Sequence, residues 1–191
     1  MDKERQPISR FTRLIHPMPA FLITCAGQDG KPNAIAIAWL TPVSISPPLL
    51  ALAVHPRRYS YQLLQENPAF VVNVMAYDQA REVLYCGRCS GRDIDKLEEG
   101  DLTAVRARSV DAPAIAEALA HIECDVEAEH AAGDHVLVVG RVRAVSAQTG
   151  VLADGFRDLK DAPPLFHLGG DRFTTTGGDF VVPEVTHTNG G

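Results

Sequence analysis

The chain lacks most of the signals that settle a protein's class at a glance. Aromatic residues make up 6% of its 191 positions, with one Trp. No apolar run reaches the ~18 residues of a membrane span, so no membrane partner is expected. The N-terminus is charged from Asp2 onward and carries no apolar leader, so a cytoplasmic location is expected. Positive charge is short: 18 Lys and Arg against 24 Asp and Glu give a net charge of −6. Nucleic acid, which needs a basic surface, is therefore excluded as a general partner, and an anionic ligand must be held by a local cluster of Arg and Lys. No G-x-G-x-x-G follows a strand, no nucleophile elbow is present, and no H-x-x-x-H spacing offers a metal site. Cysteine is sparse as well, at Cys25, Cys86, Cys89 and Cys124. Cys86 and Cys89 form a C-x-x-C, which reads as a redox couple or half a zinc site, or as incidental thiols. Cys25 and Cys124 have no nearby Cys or His to complete a metal set, and the pair follows a helix instead of starting one, so incidental thiols is the favoured reading.

What is present is a core. Apolar residues reach 46%, enough for one folded domain with terminal extensions. Ala20 to Ala26, Asn33 to Leu40, Leu49 to His55, Ala69 to Met75 and His135 to Val145 read as strands. Thr103 to Arg108 and Arg172 to Thr176 read as shorter ones. Pro113 to Leu119 reads as running on into a half-exposed strand at 120–130. Gln28-Asp29-Gly30-Lys31 and Gly133-Asp134 read as turns. Short helices are expected at Arg58 to Asn67, Gln79 to Cys86 (ending at Gly87) and Lys96 to Glu98. Many strands with tight turns and only short helices predict an antiparallel barrel.

One stretch points to chemistry. The strand from Asn33 carries Trp39 to its end and breaks into Thr41-Pro42-Val43-Ser44. An aromatic face beside hydroxyls and free backbone groups suits a flat, polar-edged cofactor, although a lone Trp at a strand end is more often a core residue. Asn33 also reads as a strand start serving its turn, and Ser44 as a group satisfying a buried carbonyl. Arg58-Tyr59-Ser60 stands at a helix start, where free N–H groups, the helix dipole and a guanidinium fork favour an anion. The plainer reading is a capped helix with solvated arginines. Lys96 reads by default as a surface lysine, and His135 and His167 as ordinary turn histidines.

Taken together and in order, the motifs carry a resemblance. They are Pro17-Met18-Pro19-Ala20-Phe21-Leu22-Ile23-Thr24, Gly30-Lys31-Pro32-Asn33-Ala34, Trp39-Leu40-Thr41-Pro42-Val43-Ser44, Pro47-Pro48, Arg58-Tyr59-Ser60-Tyr61, Phe70-Val71-Val72-Asn73, Ser90-Gly91-Arg92-Asp93 with Asp95-Lys96, Gly133-Asp134-His135 and Leu165-Phe166-His167-Leu168-Gly169-Gly170. Over residues 14–176 the chain resembles the flavin reductase-like, FMN-binding split-barrel family, its flavoredoxin branch above all; 1–13 and 177–191 are extensions. The resemblance implies a mainly β fold, a six-stranded antiparallel split barrel with short peripheral helices. It implies a homodimer, noncovalent FMN, and NADH or NADPH as hydride donor. FMN would be held by Asn33, Ala34, Trp39, Thr41, Pro42, Val43, Ser44, Arg58, Tyr59, Ser60, Ser90, Lys96, His135 and His167, with His135 beside the ring as the catalytic residue. Two departures stand out: Cys86-Gly87-Arg88-Cys89 has no counterpart in the family pattern, and His167 stands where Tyr or Phe is frequent. The expected function is an FMN-dependent oxidoreductase moving electrons from NAD(P)H to an acceptor. The alternatives are an electron carrier that takes electrons from a redox partner protein, and a non-catalytic small-molecule-binding barrel.

Overall fold

The computed structural model describes residues 3–177; the C-terminal extension from 178 on, His187 included, lies outside the described residues. A 3-10 helix at Ile8–Ile15 leads in, with Ile8, Phe11, Leu14 and Ile15 all exposed. Then come β1 (Met18–Pro19) and β2 (Phe21–Ala26), which turns through Gly30 into β3 (Pro32–Ile37). β4 (Leu40–Ser44), β5 (Leu49–Val54), α1 (Tyr59–Glu66) and β6 (Ala69–Val74) follow. Next stand α2 (Ala80–Arg88), α3 (Lys96–Glu99) and a ribbon of β7 (Ala104–Arg106) with β8 (Pro113–Ile115). A long hairpin, β9 (Ala120–Ala132) and β10 (His135–Ala147), turns at Gly133, whose φ is +64°. β11 (Leu152–Ala153), β12 (Phe156–Arg157), β13 (Phe166–Gly169) and β14 (Arg172–Thr174) complete the strands among the described residues.

The main sheet is antiparallel with order β3-β2-β6-β9-β10-β5-β4. The β9–β10 hairpin joins two pieces built earlier in the chain, β3-β2-β6 on one side and β5-β4 on the other. β3 and β4 are the two ends of this order, yet only Ala38 and Trp39 separate them in sequence. Three Cα steps span roughly 10 Å at most, so the sheet has to curl until its ends meet. The result is the expected mainly β split barrel.

Burial explains the composition. Successive strand residues face opposite sides. Ile23, Cys25, Leu52, Phe70, Val72 and Val138 fill the interior, closed by Leu63 and Leu64 of α1. Leu22, Ala34, Met75, Val83, Cys86, Leu97 and Ile115 form a second cluster outside, under α2 and α3. β2 is thus covered on both faces, which is why it reads as an unbroken apolar run instead of an alternating one. No helix among the described residues is long and apolar enough to cross a membrane.

Three expected elements come out differently. The single strand Asn33 to Leu40 divides at Ala38–Trp39, where the Trp39 carbonyl accepts from Ala53 N (2.9 Å) and the chain crosses to the far end of the sheet. The Thr-Pro-Val-Ser segment is therefore an extended edge strand with a bulge between Pro42 and Ser44, and the main sheet has seven strands where six were expected. Pro113–Ile115 pairs with β7 and does not run on into β9. Finally, α2 passes through Gly87 to Arg88, because a hydrogen there lets the helix lie against β3; a Cβ would sit 3.2 Å from that of Ala36.

Candidate functional site: two joined chambers

Where the sheet ends meet, two cavities stand side by side and share a wall. The larger, about 750 Å³, is walled by the end of β3 through Trp39, by His55, by α2 and by His135, His167 and Phe173. The smaller, about 230 Å³, lies between the start of α1, the end of α2 and the 89–92 turn. Ile35, Arg57, Arg58 and Gly87 line both.

The smaller chamber is cationic. Arg58 occupies the N-cap position of α1 in extended backbone, and no side chain among the described residues caps that end. The leading N–H groups of the helix are thus available to an anion, favoured by the positive end of the dipole. The guanidinium groups of Arg57 and Arg58 have no side-chain partner among the described residues. Arg92 is held in place: it stacks 5.2 Å from the Tyr59 ring and donates to Arg57 O and Gln62 Oε1, each at 3.3 Å.

Beneath these groups lies a buried polar floor. Asn33 Nδ2 donates to Ser60 Oγ (2.8 Å), which leaves the Ser60 proton free, while Asn33 Oδ1 is buried with no hydrogen-bond partner among the described residues. Gly91 passes directly over that oxygen; a Cβ there would stand 2.0 Å from it. The Lys96 ammonium is buried and donates to Ala34 O and Cys86 O, both at 2.8 Å, using two of its three protons. Burial pushes its pKa down. Asp95 fixes the start of α3 by accepting from Leu97 N (3.1 Å) and Glu98 N (3.2 Å), which sets where Lys96 stands.

The larger chamber is aromatic. Trp39 is 39% exposed, and its ring lies 5.0 Å from that of His135. His55 meets His135 edge-on at 5.4 Å. β5 pairs antiparallel with β10 in a register that sets Val54 opposite Val136, so the next residues outward, His55 and His135, become neighbours. His135 Nδ1 donates to Asp134 Oδ1 (2.7 Å), and that bond holds the Asp134 carboxyl below the usual carboxylate range. Arg57 N donates to His55 Nδ1 (3.1 Å), which puts the proton of neutral His55 on Nε2. On the opposite wall His167 lies 5.4 Å from Phe173 and 5.6 Å from His16. Its Nε2 donates to Gly170 O (3.0 Å). An ion pair between Arg88 of α2 and Asp171 of the β13–β14 turn ties these two elements at the mouth.

The structure thus gathers Asn33, Arg58, Tyr59, Ser60, Ser90 and Lys96 at the cationic end and Trp39, His135 and His167 at the aromatic end. Ala34 contributes through its carbonyl, held by Lys96. Thr41, Pro42, Val43 and Ser44 are not among the residues lining either chamber; they run along the outer sheet edge, and the Thr41 hydroxyl donates to the neighbouring Pro42 carbonyl. Sequence reading passed over His55, Arg57, Arg88, Arg92 and Phe173. A usable signal existed for Arg57, which adjoins a quoted motif, and for Arg92, which stands inside one. None existed for His55 or Phe173, which long-range pairing brings in.

Such a site suits a flat aromatic group carrying an anionic tail. The comparisons agree with that geometry. The model of the flavin reductase like domain matches residues 12–175. A flavin reductase of Pseudomonas putida is 30% identical over 81% of this chain and 82% of its own length. An NADH-dependent FAD reductase of Streptomyces globisporus is 31% identical over 77% of this chain and 81% of that one. The flavoredoxin of Desulfovibrio vulgaris (Miyazaki F) superposes with a TM-score of 0.85 at 26% identity, covering 98% of this chain and 99% of that chain. On this match of domain, fold and length, the chain belongs to the flavin reductase-like family.

Proposed function

We propose that the chain binds FMN across the two chambers and works as an oxidoreductase, taking hydride from NADH or NADPH and passing electrons to an acceptor. One observation carries the reading: an aromatic chamber and a cationic chamber share a wall, and the cationic one sets two guanidiniums without side-chain partners among the described residues beside the start of α1 and its Ser60. Bound flavin supplies the two-electron chemistry.

The protein's own residues do the rest. Arg58, the Ser60 and Ser90 hydroxyls and the free N–H groups of α1 hold the phosphate, with Tyr59 carrying Arg92 alongside. Lys96 sets the floor by fixing the carbonyls of Ala34 and Cys86, and it keeps one proton for the ligand. Trp39 walls one side of the ring site, and His167 with Phe173 the other. Asp134 holds His135 by Nδ1, so that Nε2 is the nitrogen able to take or give a proton inside the chamber.

Thr41, Pro42, Val43 and Ser44 enter through assembly. Their strand is an outer edge and leads into Ile45, which is 90% exposed. A second copy of the chain covering this edge would complete the ring site in a homodimer, and light scattering of the purified protein tests it. The structural match to a flavoredoxin favours one second reading, a carrier whose FMN receives electrons from a redox partner protein and not from NAD(P)H.

Spectra separate the readings. Protein that takes up FMN with quenching of flavin fluorescence, and bleaches within seconds of anaerobic mixing with NADH or NADPH, is a reductase. Uptake of FMN without bleaching identifies the carrier. No uptake of FMN removes both.

A further inference from the structure

The C-x-x-C pair is unused by the function above, and its placement gives it one of its own. Cys86 and Cys89 are both free thiols and both line the small cationic chamber. Cys86 is fully buried inside the last turn of α2, and Cys89 is the half-buried C-cap residue. Cys89 N still donates to Tyr85 O (3.1 Å), so the helical path reaches Cys89 intact. Residues three apart on a helix have Cα atoms about 5 Å apart, inside the ~4.4–6.8 Å that a disulfide spans. Their Cβ atoms, about 5–6 Å apart in a regular helix, must close to the ~3.5–4.5 Å of a disulfide, so the bond draws Cys89 inward from its C-cap position.

We propose that Cys86 and Cys89 form a dithiol–disulfide couple that controls how tightly the cationic chamber holds its anion. Cys89 is the sulfur open to the cavity, so it attacks. Its thiolate breaks the S–S bond of a small disulfide of the glutathione type, forming a mixed disulfide and expelling one thiolate. The Cys86 thiolate then attacks the Cys89 sulfur, forming the internal bond and expelling the second thiolate. Two cysteine thiols are oxidised, one small disulfide is reduced, and the two protons end on the two released thiols. Arg57, Arg58 and Arg92, lining the same chamber, favour an incoming carboxylate-bearing disulfide.

The position of the pair sets its bias. A couple at a helix N-terminus has its thiolate stabilised by the dipole, which favours the reduced form. This pair stands at the C-terminal end, where the dipole opposes the thiolate and the disulfide gains. The link to the chamber is direct. Cys86 O is one of the two carbonyls holding Lys96, and Ser90 and Gly91 follow Cys89 onto the unpaired Asn33 oxygen. Drawing Cys89 toward Cys86 shifts the turn that follows it, and with it the Ser90 hydroxyl assigned to the phosphate.

The test uses the full chain. Reduced protein is incubated with oxidised glutathione, acid-quenched, alkylated after denaturation and mapped by mass spectrometry. The expected peptide carries a Cys86–Cys89 bond, two hydrogens lighter than the dithiol, with Cys25 and Cys124 alkylated. Cys86→Ser should retain glutathione on Cys89, and Cys89→Ser should take none on Cys86. Wild-type protein that ends with both thiols alkylated, or with glutathione still attached, overturns the couple. The control over binding rests on the flavin reading above. Oxidised wild type should bind FMN roughly tenfold more weakly than reduced, the loss of one charge-assisted hydrogen bond. The Cys86→Ser/Cys89→Ser double variant should not respond to glutathione. Equal FMN affinity in both forms of wild type overturns the control. Failure of both forms to bind FMN overturns the flavin reading and the control together, while the mapped bond decides the couple by itself.

Discussion

The two chambers share a wall and are built by opposite means. The cationic one rests on buried, directional bonds: Asn33 to Ser60, Lys96 to two carbonyls, Asp95 to the start of α3. The aromatic one rests on ring contacts between half-exposed side chains, steadied by hydrogen bonds of His135 and His55 at its rim. Directional bonds fix position to a few tenths of an ångström and fail abruptly when one partner goes. Ring contacts give way gradually. The anchor of the ligand is thus the rigid end, and the reacting end can accommodate a visiting donor or acceptor.

Substitutions test how sharp that division is. The largest effect belongs to Lys96→Met, which leaves two buried carbonyls unpaired. Stability should fall by roughly 2–5 kcal/mol, read from urea unfolding. A fall under half of that would show the floor to be soft. Next comes Arg58→Ala, which leaves the melting temperature in place and weakens FMN binding about tenfold or more by fluorescence titration, since a charged hydrogen bond is lost from an exposed rim. Trp39→Ala should weaken FMN binding by a few-fold at unchanged stability, on the order of 1 kcal/mol for an aromatic contact. An unaltered dissociation constant would take Trp39 out of the ring site.

The smallest effect is a pH dependence. Asp134 has its carboxyl held down by His135, so its contribution is present above the ordinary carboxylate value and is lost as pH falls through the lower folded value. The difference in melting temperature between wild type and His135→Asn should be seen at about pH 6 and shrink toward zero in acid. A difference that grows in acid would mean the pair is not what holds His135. Lys96 gives a slope of the same sign from a different cause: burial favours its neutral form, so stability should rise with pH as the solution nears the ordinary lysine value of 10.5.

Strands with apolar runs, such as Phe21–Ala26 and Ala69–Val74, were legible because burial on both faces writes itself into consecutive residues. The break at Ala38–Trp39 was not, because small residues alternate there as they would in a continuing strand and the deciding bond comes from Ala53, fourteen residues on. Gly87 read as a helix stop, yet packing on Ala36 outweighs its propensity. At the site, Arg58, Ser60 and Asn33 carried local signals. His55 carried none: it meets His135 through a ladder between segments eighty residues apart, and no window of sequence contains both.

The hairpin of β9 and β10 has a bearing on how the chain is made. It inserts between β6 and β5, so both of those strands stay without one partner until residues 120–147 have left the ribosome. Through most of translation the nascent chain exposes two unpaired strand flanks, the kind of template on which neighbouring chains aggregate. Synthesis that stalls before this hairpin emerges should yield insoluble fragments, and a chaperone that shields strand flanks should matter most over that interval.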